Sequence, residues 1–147
     1  MTALLQMREF LLTYPQWEQG GLLYIDYTDG VPGGAGLFPT GREELARRQD
    51  VLGNVAVDCR LNFILYRVCA SPEDNEKNAQ WLMDFQQWIE RQSVLGLAPR
   101  FGDVPIRERL RAERGKYNRP HGESGIYGVQ LTAEFTKLYE VNEHGEN

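Results

Sequence analysis

The chain has 147 residues, of which 41% are hydrophobic and 25% charged, with two cysteines and a formal net charge of −5. That is the size of one domain, able to bury a core without disulfide staples, and the composition is that of an ordinary soluble globular protein. The acidic balance argues against a general nucleic-acid binder, and no apolar run approaches the roughly 18 residues of a membrane span.

The opening MTALLQMREFLL lacks the basic start, long apolar run and small-residue cleavage site of a signal peptide, so cytosolic production is expected. Leu4, Leu5, Met7, Leu11 and Leu12 recur at three- and four-residue spacing, which predicts an N-terminal helix. Thr13-Tyr14-Pro15 should end it, because the residue before proline disfavours the helical region. Gly20-Gly21 marks a turn, and Leu22 to Thr28 reads as a short strand rich in β-formers.

The stretch TDGVPGGAGLFPTG matches neither a dinucleotide fingerprint nor a phosphate loop. Its glycines and prolines predict a flexible surface loop near 29–40. Thr40-Gly41-Arg42-Glu43 has the form of a capping box, which predicts a short helix to about Asp50.

A long strand should then run through Val57 to Cys69. Val57, Cys59, Leu61, Phe63 and Leu65 share one side, with Asp58, Arg60 and Asn62 on the other. Beyond Leu65 the pattern slips, since Ile64, Tyr66 and Val68 are apolar while Arg67 falls on the formerly apolar face. Either a bulge reverses the faces, or the far end is buried on both sides. The two cysteines lie ten residues apart, about 33 Å along a strand. A disulfide needs Cα atoms within about 7 Å. They are therefore expected as free, buried packing residues that share neither a disulfide nor a metal.

Ser71-Pro72-Glu73-Asp74 supplies helix-starting residues. Trp81, Leu82, Phe85, Trp88 and Ile89 form one apolar stripe on the helix that follows. SVLGLAPRFGDVP reads as a loop. Ile106 and Leu110, four apart, predict a short basic helix to Arg114, followed by a turn-rich connector, KYNRPHGESG. The last strand, GIYGVQLTAEFTKLYEV, sets Tyr127, Val129, Leu131, Ala133 and Phe135 against Gln130, Thr132, Glu134 and Thr136. The terminal 141–147 should be a loose tail. The expected fold is α/β of the α+β type: one domain over 1–147, with a mostly antiparallel sheet, two long strands and flanking helices. The strand ends near Ile64–Val68 and Thr136–Tyr139 should project past the core and need a covering chain.

Little in the sequence resembles catalytic chemistry. His121 and His144 fall in the connector and the tail, where no rigid partner orients an imidazole. GESGI around Ser124 lacks the last glycine of a nucleophile elbow and precedes a strand rather than a helix. No cysteine–histidine group has metal spacing. The chain is expected to be no enzyme and to need no cofactor or metal. Charge is uneven: 100–119 carries seven basic residues and three acidic ones, a net of +4 that leaves the remainder at −9.

The segments GLFPTGREELARRQDVLGNV, LNFILYRVC, NAQWLMDFQQWI and GIYGVQLTAEFTKLYE resemble small prophage proteins of Gram-positive bacteria known as minor capsid proteins. In size and layout these are similar to phage tail terminator, or tail completion, proteins. The resemblance implies a compact subunit with a sheet flanked by helices, assembled as a ring, commonly hexameric, at the head-proximal end of the tail tube. Its implied partners are other copies of the chain, the tail tube protein and the head–tail connector, with passive contact to DNA in the channel. Its implied location is the host cytoplasm during assembly and then the virion. From shape and charge, the assembly interface is expected to include Ile64, Tyr66, Val68, Arg107, Arg109, Arg111, Thr136 and Leu138. A head–tail connector or minor capsid subunit is the alternative within this class. A nucleic-acid-binding module using 100–119 is the alternative from another.

Overall fold

The computed structural model describes residues 1–17, 22–28, 30, 32–69, 75–121 and 124–141. The described elements are helix α1 (Ala3–Leu11), strands β1 (Leu23–Ile25), β2 (Ala35–Gln49) and β3 (Val55–Cys69), helix α2 (Asn75–Val94), a 3-10 turn (Pro105–Arg107), and strands β4 (Arg109–His121) and β5 (Ser124–Tyr139). The strands form one sheet in the order β1-β2-β3-β5-β4. Among the described strands only the β1–β2 pair is parallel. This is the expected α+β fold.

The two amphipathic strands read from the sequence form the centre of the sheet. β3 pairs with β5 without a break, from Val55 opposite Tyr139 to Cys69 opposite Gly125. Residues directly opposite share a face. Phe63, Leu65, Val129, Leu131 and Ala133 therefore point one way and join α1 and α2 in a single cluster. Thr2 starts α1 by accepting a hydrogen bond from the Leu5 amide at 3.2 Å. Met7 and Leu11 of α1 and Trp81, Leu82, Phe85 and Ile89 of α2 are buried in that cluster. Phe10 stacks on Trp88 at 4.9 Å, and Tyr14 meets Trp81 and Phe85 edge-on. Burial pushes the Tyr14 phenol up to about 12, with Asp84 adding to the effect.

The slip beyond Leu65 is resolved by burial on both faces, with no bulge against β5. Arg67 stays on the helix face, its guanidinium 4.3 Å over the Trp81 ring, and donates to Cys69 Sγ at 3.0 Å. Val68 and its partner Ile126 are buried on the opposite face. The end near Ile64–Val68 thus lies within the body of the fold and does not project. Cys59 and Cys69 are buried and form no disulfide with each other, as their spacing required.

Two expected helices are strands. The segment predicted as a helix from Thr40 to Asp50 belongs to β2, which pairs with β3 along its whole length. The predicted loop near 29–40 is already strand from Ala35 onward. The predicted basic helix from Ile106 to Arg114 contains only the 3-10 turn and then β4, and most of the predicted connector 116–125 is paired strand. In both cases the chain beside β3 and β5 satisfies their open hydrogen-bonding edges, and that non-local demand overrides the helix preference of Glu, Leu, Ala and Arg. The predicted helix start, Ser71 to Asp74, the Gly20-Gly21 turn and most of the expected tail lie outside the described residues, as does His144. No described helix is long and apolar enough to cross a membrane.

Candidate assembly interface

The far half of the sheet, away from the main core, carries its own supports. On the helix face Val57, Cys59 and Phe135 form a second, smaller core with Phe101 against it. Phe101 belongs to a strap that also closes the edge of β5. The Asp103 amide donates to Thr136 O at 2.8 Å, and Asp103 Oδ2 accepts from the Leu138 amide at 2.8 Å. Glu108 anchors the strap by accepting from the Phe101 and Gly102 amides at 2.7 and 2.9 Å. The end near Thr136–Tyr139 therefore has its backbone edge covered from within the chain.

The start of the β4 edge is covered too. Ser93 Oγ accepts from the Leu110 amide at 3.0 Å, and Gln86 Nε2 donates to Ala112 O at 3.2 Å, so α2 side chains cap that strand. β2 is different. It pairs with β1 only from Ala35 to Leu37, and from Pro39 to Gln49 every residue is exposed. Among the described residues no strand lies along this edge. Pro39, two bulges and five charges occupy it, all features that discourage indiscriminate pairing.

The β2–β3 turn at the tip is rigid and apolar. Asp50 Oδ1 accepts from the Leu52 and Asn54 amides, both at 2.9 Å, and Asn54 Nδ2 donates to Asp50 Oδ2 at 3.1 Å. Gly53 sits at φ +92°, where a side chain would be strained. Asn54 Oδ1 accepts from the Val141 amide at 2.9 Å and ties the end of β5 to the tip. On this frame Val51 is 102% exposed and Leu52 76%. Leu138, Tyr139 and Val141, all exposed, lie beside it. A shallow groove of about 360 Å³ runs there, with Val55, Ala56, Leu138 and Tyr139 on one part of its lining and Arg48, Asp50, Asn54 and Glu140 on the rest. Two large apolar groups on a turn fixed by hydrogen bonds contribute nothing to this chain's own core. Large apolar groups left bare on a fixed turn are candidates for a contact surface.

The sheet face opposite the helices carries a ladder of charges. Arg48 forks onto Asp58 at 2.6 and 2.9 Å, Thr136 Oγ1 donates to Asp58 Oδ1 at 2.7 Å, and Arg107 lies 3.8 Å from the same carboxylate. Arg48 and Thr136 together hold the Asp58 carboxyl well below its ordinary range. Arg60 sits 3.9 Å from both Glu43 and Glu134, and Arg111 reaches Glu134 at 2.5 Å and Glu113 at 3.2 Å. Two clusters thus tie the strands: one at Asp58 joins β2, β3 and β5 to the 3-10 turn, and one through Arg60 and Glu134 joins β2, β3, β5 and β4.

The eight residues expected at an interface fall into two groups. Arg107, Arg109, Arg111, Thr136 and Leu138 belong to the far half: Arg109 pairs in register with Glu134, Arg107 and Arg111 contact carboxylates, Thr136 is buried, and Leu138 is exposed. Ile64, Tyr66 and Val68 are on the same face but near the main core. Ile64 pairs with Gln130 and Thr136 with Asp58, six residues along β3, or about 20 Å. Tyr66 packs on Phe38 at 5.4 Å and lies over Gly128, and Val68 is buried. The structure does not bring the two groups together. Sequence reasoning missed the tip and the Asp58 clamp. The signal for the tip was present: Asp50 and Gly53-Asn54 bracket two apolar residues, as a turn would.

Among the described residues no three His, Cys, Asp or Glu side chains gather in a metal-ligand group. His121 ends β4, and Ser124 begins β5 opposite it. No protein-family model matches the chain, and no curated protein matches it.

Proposed function

We propose that this chain is a non-enzymatic structural subunit of a bacteriophage particle, a tail terminator that caps the tail tube as a ring and joins it to the head. The observation that carries the reading is the β2–β3 tip: Val51 and Leu52, held on a hydrogen-bonded turn, are left bare by their own subunit. The segments that resemble phage minor capsid and tail terminator proteins support it, and so does a sheet with helices on one face. In this reading the tip, together with Leu138, Tyr139 and Val141, seats on a neighbouring subunit or on the end of the tube. The charge ladder on the other face keeps the long strands stiff enough to present it. Arg107 and Arg111, already facing Asp58, Glu134 and Glu113, serve the ladder first, which weakens the case for a nucleic-acid module.

Light scattering across concentration, with and without the tail tube protein of the same prophage, tests the proposal. The expected result is a small species alone and a ring on the tube. A chain that stays inert under every condition, with affinity for neither tube nor connector, overturns it. Binding to the connector alone moves the chain to the connector class. DNA binding that weakens steeply with salt moves it to the nucleic-acid class.

A further inference from the structure

The open edge of β2 carries the sequence Glu43-Glu44-Leu45-Ala46-Arg47-Arg48. Laid antiparallel against itself, it sets Glu43 against Arg48, Glu44 against Arg47, and Leu45 and Ala46 against each other. Every acid meets a base, and the apolar pair lies at the centre. In a regular strand this register is impossible. Residues 43 and 48 would point to opposite faces, because side chains alternate with a period of two.

The structure removes that obstacle. A register shift between Glu44 and Ala46 leaves Leu45 as an extra residue. Glu43 lies opposite Arg60 and Arg48 opposite Ala56, so both are on the face away from the helices. Glu44 lies opposite Cys59 and Arg47 opposite Val57, so both are on the helix face. The bulge thus brings the charge palindrome into phase on each face.

We propose that the β2 edge is a homodimerisation surface, joining two copies of this chain antiparallel about a two-fold axis at Leu45-Ala46. The two sheets then form one continuous sheet, and the exposed Leu45 side chains are covered at its centre. The palindrome is not repeated on the outer edges that remain: β1 offers only Leu23–Ile25, and α2 side chains cap the start of β4 at Leu110 and Ala112. The bulge between Pro39 and Gly41 ends the pairing on the other side. Within one chain Glu44 and Arg47 already form an ion pair at 2.6 Å, with both side chains about half exposed. In the dimer the two pairs merge into a four-charge cluster. Exposed ion pairs add little affinity, so these charges set register and partner choice. An edge contact this short belongs with the small, weak interfaces under about 1,200 Å². Neighbours in a cyclic ring are not related by a two-fold axis, so the dimer is a state of the free subunit, separate from the ring proposed above.

Charge-swap complementation tests this by sedimentation velocity over a micromolar concentration series. Wild type should show a monomer–dimer equilibrium. Glu44→Arg and Arg47→Glu each remove only an exposed partner of the other, and both should fold. Each alone should weaken dimerisation by at least about tenfold, through like-charge contacts across the axis. An equimolar mixture of the two should restore a heterodimer. Wild type that stays monomeric, or that associates only to masses above a dimer, overturns the pairing, as does a mixture that fails to recover. Variants that dimerise as tightly as wild type overturn it as well. None of these outcomes bears on binding to the tail tube, which is measured separately.

Discussion

Replacing Gly102 by alanine asks whether the strap over β5 is part of the fold. A methyl group built there lies 2.5 Å from Thr136 O and 2.9 Å from Thr136 N, with Glu108 Oε2 at 2.8 Å. These are backbone and anchored carboxylate atoms, not the free end of a flexible side chain. β5 cannot retreat, because β3 holds it in register from Asp58–Thr136 to Val55–Tyr139. The strap must move instead, stretching the bond from the Asp103 amide to Thr136 O, now 2.8 Å. Overpacking strain of about 1–3 kcal/mol and one weakened hydrogen bond, about 0.5–1.5 kcal/mol, give a loss of about 1.5–4.5 kcal/mol. Urea unfolding should show a lower midpoint with an unchanged slope. Hydrogen exchange should show the Leu138 amide, which the strap now holds, losing protection. A variant within about 0.5 kcal/mol of wild type, with Leu138 protection intact, would refute the reasoning and make the strap an incidental contact.

Phe85→Ala should cost about 3–5 kcal/mol, since Phe85 is fully buried among Tyr14, Trp81 and Trp88; thermal unfolding checks it. Asp58 has a depressed pKa, so its contribution is fully present above the unfolded value of about 3.9 and is lost as pH falls through the lower folded value. Stability measured between neutral and strongly acid pH should therefore fall less steeply below about pH 4 in Asp58→Asn, and an unchanged acid limb would remove Asp58 from that role. Changing Val51 and Leu52 together to serine should leave stability within about 0.5 kcal/mol, because neither packs on its own chain. The same change should abolish binding to the tail tube in a pull-down. Cys59 and Cys69 should react with a thiol reagent only on unfolding, which absorbance in native and denaturing buffer would show.

The charge ladder and the strap share a physical logic. A sheet with helices on one face leaves the other face and the far half without a thick core. Asp58 is bound at once by Arg48, Thr136 and Arg107, from three other parts of the chain, and so replaces some of that missing packing. Such a network resists shear between strands even where each exposed pair adds little to stability.

The sequence by itself determined the central pair and the helices. β3 and β5 alternate so regularly that their core faces are legible residue by residue, and the stripe from Trp81 to Ile89 has helical spacing and nothing else. The cysteines' spacing along one strand was enough to rule out a disulfide between them. Only the tertiary structure decided β2 and β4. REELARRQ is built from good helix formers with no buried face to impose a two-residue period, and an exposed strand writes no hydrophobic pattern into its sequence. RLRAER is rich in helix formers too, and its two core-facing residues, Leu110 and Ala112, are too few to mark a strand. Their state was settled by the free edges of β3 and β5, the strands that follow each in the chain, whose backbone groups need partners that local propensity cannot supply. The same non-local pairing placed Asp58 between Arg48 and Thr136, fixed the bare tip at Val51-Leu52, and put Ile64 and Thr136 at separate ends of one face.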